Sequence, residues 1–154
     1  MSPRVLFRIF AFAELVTWAG LITALIVRGA GVTDALVRPA GGIHGFVFLS
    51  YCVVTVLLWV DRRWKVGTGL LGLGSAIIPF ATLPFELVAD KKGLFGGPNW
   101  RLGPDGERPR GFVEHVLAWI LKHPWLSILL LLVAVTAAFT ILLWLGPPIP
   151  MGDH

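Results

Sequence analysis

The sequence predicts an all-α, polytopic membrane protein with four transmembrane helices and one amphipathic interfacial helix. Of its 154 residues, 56% are hydrophobic and only 14% are charged, and the mean hydropathy is +0.79. A soluble domain of this size needs more charge on its surface. Four apolar stretches approach or exceed the roughly 20 residues that cross about 30 Å of hydrocarbon as a helix. They are residues 5–27, 43–60, 66–88 and 125–145.

The first stretch, residues 5–27, is expected to be a retained transmembrane helix. Arg4 and Arg8 precede its apolar core as in a signal peptide, but its length, the presence of Glu14 and the lack of a clear A-x-A cleavage pattern favour retention. Glu14 lies about 13 Å into this helix at the α-helical rise. A carboxyl at that depth either marks a functional site or holds helices together when it is protonated or paired.

The second stretch, residues 43–60, opens with His44 among glycines, in the segment "PAGGIHGFVFLSYCVV". Imidazole is the side chain whose charge changes most easily near neutral pH. Gly41 and Gly45 form a small-xxx-small pair that lets another helix approach closely. The single cysteine, Cys52, lies in the same stretch, so an intramolecular disulfide is excluded.

The third stretch, residues 66–88, is predicted to be the packing centre of the bundle. Its small residues form a row at helical spacing: Thr68, Gly72 and Ala76. Pro79 and Pro84 each remove a backbone donor, so both are expected to kink the second half of this helix.

The connection between the second and third stretches, residues 61–65, is short enough to force a tight antiparallel hairpin. His44 opens the second stretch and Glu86 closes the third, so both are expected at one membrane face, where they could form a polar contact. Glu14 enters from the opposite face. A buried unpaired charge is costly, so each of these side chains should face protein, water or headgroups.

Residues 89–154 are expected to form a second unit after the three-helix membrane domain of residues 1–88. Residues 90–111 are rich in Gly and Pro and predict a loop. Residues 112–123 alternate polar and apolar faces at helical spacing, which is typical of a helix in the membrane interface. Residues 125–145 then form the fourth span, a lipid-facing anchor with tryptophans at both ends.

The basic residues lie mostly in the connections, where anionic lipid headgroups are their expected partners. Nucleic acid is not expected, because no soluble module carries a basic stripe with aromatic residues. The basic connection 61–65 and the N-terminal arginines favour cytoplasmic termini. The long connection 89–124 is also basic and by itself favours the opposite orientation, but long segments translocate with less regard to charge.

The candidate proton-binding or ligand-binding residues are Glu14, His44 and Glu86. Each could instead be structural, with the polar group hydrogen-bonded to the main chain or to headgroups. No close pair of metal-ligand residues occurs among them, so neither a metal nor another cofactor is expected. No catalytic motif such as a nucleophile elbow, a phosphate loop or a zinc-protease sequence is present, and no catalytic residue is predicted.

Four segments resemble a family of small bacterial, often actinobacterial, integral membrane proteins known as a conserved domain of unknown function. They are Arg8 with Glu14, "GGIHGFVFLSY", the basic loop 62–65 with its tryptophan, and "IIPFATLPFE". The resemblance covers residues 4–88 and implies three membrane helices and a bacterial cell membrane. Ala81 and Leu83 stand where the family pattern usually has glycine and phenylalanine. The family implies no reaction or ligand.

Three functions are compatible with these features. The first is a non-catalytic accessory or assembly subunit that packs against another membrane protein, or against its own copies, through its small-residue faces. The alternative is a small transporter or a proton-responsive or ligand-responsive protein that uses the three ionisable candidates. A lipid-modifying enzyme is a third possibility, with polar residues of the long loop at the headgroup, although such loops are more often simply solvated.

Overall fold

The computed structural model describes residues 1–145, and within them every regular element is a helix. The helices are α1 (Pro3–Gly29), α2 (Val37–Arg62), α3 (Val66–Ile77), α4 (Thr82–Lys91), α5 (Gly111–Lys122) and α6 (Pro124–Leu145). The all-helical prediction is therefore confirmed.

Helices α1 and α2 form the long antiparallel pair of the molecule. Helix α1 begins at Pro3 because the Ser2 hydroxyl accepts the Val5 N–H at 3.3 Å, and proline is well suited to the first helical turn. The two helices have 27 and 26 residues, so each is about 40 Å long. Both are long and apolar enough to cross a membrane.

The predicted third span is wrong in form, because residues 66–88 make two short helices instead of one long one. Helix α3 has 12 residues and α4 has 10, and neither reaches across a bilayer. Pro79 lies in the break and offers no N–H to the carbonyl four residues before it. Pro84 does not kink the chain, because it lies in the first turn of α4, where helical N–H groups have no partner anyway.

Helix α4 returns to the membrane face at which α1 begins, which we call the N-terminal face. Its contacts descend along α1 in antiparallel order: Thr82 meets Ala11, Glu86 meets Arg8, and Asp90 meets Arg4. Helix α2 ends at this same face, so α3 enters the membrane from it. Helices α3 and α4 therefore form a re-entrant hairpin, whose tip we define as residues 77–83.

The long connection after α4 folds over the N-terminal face. Phe95 and Leu102 from this connection are buried. Trp100 donates its ring N–H to the Met1 carbonyl at 3.0 Å, and Trp64 donates to the Leu94 carbonyl at 2.8 Å. The loop thus contributes to the core of the bundle and stays on the side where the chain begins.

Helices α5 and α6 form an arm attached to the end of α2. The axis bends by 107° between α5 and α6, at the residue pair His123 and Pro124, and the principal contacts of α6 are with α5. Within the described residues, two helices are long and apolar enough to span, or three if this bent pair counts as one span. The predicted set of four spans is therefore not found.

Candidate functional site

Glu14 is the deepest buried carboxyl in the membrane part of the chain. It lies on the buried face of α1 with Phe7 and Ala11, and its side chain has no exposed surface. Neither carboxyl oxygen has a hydrogen-bond partner. The basic group beside it is His44 of α2, whose Nδ1 lies 3.8 Å from Glu14 Oε2. We call Glu14 and His44 the central pair.

The hydroxyl of Thr17 connects the two members of the central pair. It donates to the Glu14 carbonyl at 3.1 Å and lies 3.2 Å from His44 Nδ1, within hydrogen-bonding distance. Trp18 packs against the imidazole with ring centroids 4.4 Å apart.

The central pair is built to hold one proton. When Glu14 is ionised and His44 is neutral, Glu14 is a buried anion without a hydrogen bond. When both residues are protonated, His44 is a cation in the same apolar surroundings. Both states are costly inside a membrane. The neutral pair and the carboxylate–imidazolium pair each hold one proton and carry no net charge, so these two states are favoured.

The hairpin tip covers Glu14. The Trp18 ring N–H donates to the Ala76 carbonyl at 3.1 Å, and the Thr82 hydroxyl donates to the Ala11 carbonyl at 2.9 Å. These two contacts lie about one helical turn on either side of Glu14 along α1. The break between α3 and α4 therefore lies opposite the carboxyl, and a movement of the hairpin would change the surroundings of Glu14.

Glu86 belongs to a different site from the one predicted. Its Oε1 accepts from Arg8 Nε at 2.8 Å, and Asp90 bonds Arg8 and Arg4 at 3.1 and 2.7 Å. We call these four residues the face cluster. The expected contact between His44 and Glu86 is wrong, because the third stretch turns back and returns Glu86 to the face from which α1 starts.

The small residues of α3 pack within the chain. A side-chain carbon on Gly72 would lie 2.9 Å from Thr55 of α2, and one on Gly69 would collide with the ring of Trp59. Ala76 is buried and Thr68 is half-buried. At the start of α2, by contrast, open space lies beside Gly41, and Gly45 is half-buried.

Two polar groups near the hairpin were not singled out from the sequence. The Tyr51 hydroxyl is buried and bonds the Ser75 hydroxyl at 2.9 Å and the Gly72 carbonyl at 3.1 Å. A tyrosine seven residues after His44, on the same face of α2, was the available signal, but a single sequence does not separate it from an ordinary core aromatic residue.

A second missed network ties the long loop to α2. The buried Asp61 carboxylate accepts the backbone N–H groups of Arg101 and Leu102 at 3.2 and 2.9 Å. The Arg101 guanidinium bonds Glu114 of α5 at 2.8 Å. The pKa of Glu114 is lowered to about 2, chiefly by the hydrogen bond from the Arg110 N–H at 2.7 Å and next by the hydrogen bond from Arg101. In the described part of the chain, no group of three or more His, Cys, Asp or Glu could hold a metal ion.

The fold and site define a helical membrane protein with a re-entrant hairpin over a buried carboxyl–imidazole pair. The family model described as "Domain of unknown function (DUF3817)" matches residues 5–91, and the chain belongs to this family. The match ends with α4, so it contains the central pair, the hairpin and the face cluster. The predicted family resemblance is confirmed.

One curated relative is a Streptomyces coelicolor protein named as a membrane protein. It is 35% identical over 91 residues, which are 58% of this chain and 11% of that protein. The match thus covers about a tenth of a much longer polypeptide. No solved structure matches the chain. The expected membrane character agrees with both the family relationship and the apolar helices.

Proposed function

We propose that this protein is a proton-responsive protein of the bacterial cell membrane and that the central pair is its proton-binding site. The observation that carries this proposal is the Glu14 carboxyl, which is fully buried with neither oxygen hydrogen-bonded, 3.8 Å from His44. An ionisable group left in that condition is expensive and is a functional-site candidate by default. A purely structural carboxyl would gain stability from a donor that the site does not provide.

The hairpin gives the proton a means of acting on structure. Adding or removing a proton changes the charge beside the break between α3 and α4, where Trp18 and Thr82 connect the hairpin to α1. Broken helices beside polar residues are typical of transport sites. The proposed function therefore has two versions. In the simpler version, the protein is a sensor whose hairpin moves when the central pair gains or loses a proton. In the more specific version, proton binding is coupled to the movement of a small solute.

Infrared difference spectroscopy of the protein in lipid nanodiscs tests the proton site. Spectra taken across a pH series should contain the carbonyl-stretch band of a protonated carboxylic acid, and Glu14→Gln should remove that band. Asp105→Asn is the matched control, because Asp105 is an exposed loop carboxyl. His44→Gln should shift the band's pH dependence. A band that persists in Glu14→Gln would contradict the assignment.

The second candidate function is that of an accessory or assembly subunit, as the small-residue pattern suggested. What supports it is the Streptomyces relative, in which the matched region is about a tenth of a longer chain and so lies beside other parts of the same protein. Purification from native membranes in mild detergent, followed by native mass spectrometry, tests this role. A stoichiometric partner protein would favour it, and a chain free of other proteins would remove it.

The orientation that we propose has the N-terminal face in the cytoplasm, against anionic headgroups. Every Lys and Arg other than Arg28 and Arg38 belongs to a segment that begins or ends at that face, which agrees with the positive-inside rule. The hairpin removes the conflict that the basic long loop posed. If α6 spans, then α1, α2 and α6 make three crossings, and the end of α6 lies outside the cell, unlike the cytoplasmic C-terminus expected from four spans. An alkaline phosphatase fused after α6 should then be active.

A further inference from the structure

The two members of the central pair are not equally enclosed. The Glu14 side chain has no exposed surface, whereas 12% of the His44 side chain is exposed. Both Glu14 oxygens are enclosed, but the His44 Nε2 is not an enclosed atom, and in the described part of the chain no group bonds it. Hydrocarbon cannot satisfy a polar nitrogen, so this atom is expected to face water.

A packed apolar core separates the central pair from the N-terminal face. On α1, the side chains one and two turns from Glu14 towards that face are Ala11 and Phe7, and both are fully buried. The Phe7 ring lies 5.3 Å from the ring of Tyr51 and 5.2 Å from that of Phe95, between centroids. Water is not stably held among close-packed apolar side chains, so this core closes the N-terminal side of the pair.

The opposite side of the pair is open. We call the membrane face at which α1 ends and α2 begins the far face. One turn from His44 towards it, α2 carries the small residues Ala40 and Gly41, both half-buried, and a side-chain carbon on Gly41 would meet no other atom within 4 Å. Helix α2 begins at Val37, about 10 Å from His44 at the helical rise, and the next residue, Arg38, is exposed. We call the space beside Ala40, Gly41 and His44 the notch.

We propose that the central pair exchanges its proton only with water of the far face, through the notch, and that His44 Nε2 is the atom that receives it. A proton donated by water to Nε2 makes His44 an imidazolium whose Nδ1–H lies beside Glu14 Oε2, 3.8 Å away. Transfer of the Nδ1 proton to Oε2, once the two atoms approach, leaves both residues neutral. This inference rests on the proposed proton function and adds the side of the membrane to which the site responds. With the orientation proposed above, that side is the outside of the cell.

The other titratable groups near the pair lie on its closed side. Helices α1 and α4 contribute Arg8 and Glu86, which are paired with each other at 2.8 Å. Helix α2 contributes Tyr51, whose hydroxyl is already hydrogen-bonded within the core, and Cys52. Helix α3 contains no titratable residue. His44 is thus the group that lies between the buried carboxyl and the open side, where a proton from the far face arrives first.

Thiol labelling from one side of the membrane at a time tests the access route. In a Cys52→Ala background in proteoliposomes, His44→Cys is treated with a charged, membrane-impermeant methanethiosulfonate, which reacts with the thiolate that forms in water. Asp105→Cys marks the N-terminal face, because Asp105 is exposed in the long loop. His44→Cys should be labelled only from the side that does not label Asp105→Cys. Ala11→Cys, in the closed core, should be labelled from neither side.

Two labelling results would overturn the proposal. Labelling of His44→Cys from the side of Asp105→Cys would mean that water reaches the pair from the N-terminal face. A folded His44→Cys protein that is labelled from neither side would mean that lipid or another protein covers the notch.

A substitution in the notch tests the route with the central pair intact. Gly41→Leu fills open space, so the fold should be kept, and Gly20→Leu is the matched control at an exposed glycine of α1 that also has open space beside it. In proteoliposomes of one orientation, the infrared carboxyl band of Glu14 should respond to a pH step at the far face and not to one at the N-terminal face. Gly41→Leu should slow that response about tenfold or more, as a barrier higher by about 1.4 kcal/mol would do. Gly20→Leu should leave the rate unchanged.

The outcomes separate this inference from the proton function on which it rests. A Glu14 band that responds to the pH of the N-terminal face, or at the same rate in Gly41→Leu and the unmodified protein, would overturn the route and leave the proton site standing. A carboxyl band that persists in Glu14→Gln would instead remove the proton site, whatever side labels His44→Cys.

Discussion

The chain has two buried glutamates in its membrane domain, and their surroundings are opposite. In the face cluster, Glu86 bonds the Arg8 guanidinium at 2.8 Å. In the central pair, Glu14 is just as buried, but neither of its oxygens is hydrogen-bonded and the basic group beside it is His44, 3.8 Å away. Arginine stays charged under all ordinary conditions, whereas histidine gains and loses a proton near neutral pH.

This difference separates a structural carboxyl from a functional one. Glu86 is one link in a chain of pairs that docks α4 on α1, and a permanent partner suits that task. Glu14 has the less stable environment and the switchable partner. Burial alone would have ranked the two residues equally, so the partner decides which of them is the candidate site.

Removing Arg8 from the face cluster should have the largest effect on the free energy of unfolding. In Arg8→Ala, Glu86 would be left buried without its donor, which in a fully buried pair costs 3–5 kcal/mol. Arg8 itself is half exposed, so we expect a loss of about 2–3 kcal/mol in unfolding free energy. Denaturant titration in mixed micelles measures it.

The double variant Arg8→Ala/Glu86→Gln is the control for that loss. It removes the stranded charge, so part of the lost stability should return. If the double variant were as unstable as the sum of the two single variants, Arg8 would be stabilising the fold by some means other than its pairing with Glu86.

The hairpin links the central pair to the face cluster, and its packing against α2 can be tested by substituting a glycine of α3. Gly69→Ala would drive a methyl group into the ring of Trp59, and overpacking of this kind costs about 1–3 kcal/mol. Gly67→Ala, in open space on the same helix, is the matched control and should be neutral or slightly stabilising. Thermal unfolding in detergent compares them, and equal midpoints would mean that α3 does not pack on α2 through Gly69.

Neutralising each glutamate in turn sharpens the comparison. Glu86→Gln weakens a charged hydrogen bond and should lose about 1–2 kcal/mol. Glu14→Gln removes a carboxyl that has no hydrogen bond to lose, so its unfolding free energy should be unchanged or higher. The same denaturant titration measures both. A loss for Glu14→Gln as large as that for Glu86→Gln would make Glu14 structural.

The membrane helices and the family could be predicted from the sequence because they depend on composition and on short motifs. The apolar stretches located α1, α2 and α6, and the amphipathic spacing located α5. Glu14 and His44 were candidates because ionisable residues are costly in hydrocarbon. These inferences need only the residues themselves and the properties of the bilayer.

The pairing of the candidates could not be predicted, because it depends on the direction of one helix. Hydropathy does not distinguish a continuous span at residues 66–88 from two half-helices that turn back. Pro79 signalled a disturbance, but a proline is equally compatible with a kink and with a break. The reversal moved Glu86 from His44 to Arg8, and the same uncertainty concealed that the long basic loop lies at the N-terminal face.

A further carboxyl at the N-terminal face, Glu114, offers the smallest and most specific test of the contrast between permanent and switchable pairing. The Arg110 N–H and the Arg101 guanidinium hold its pKa at about 2, below the ordinary glutamate value of about 4.3. A carboxyl whose pKa is lowered by folding stabilises the folded state at pH values above its ordinary pKa, and this contribution is lost as pH falls from about 4.3 towards 2.

The docking of α5 should therefore hold at neutral pH and weaken only in acid. Hydrogen-exchange protection of residues 111–122 should exceed that of Glu114→Gln above about pH 4.3, and the difference should shrink towards zero near pH 2. Glu107→Gln is the matched control, because Glu107 also contacts Arg101 but is largely exposed. A difference between the unmodified protein and Glu114→Gln that stays constant from neutral pH to pH 2 would mean that the charge of Glu114 does not hold the arm.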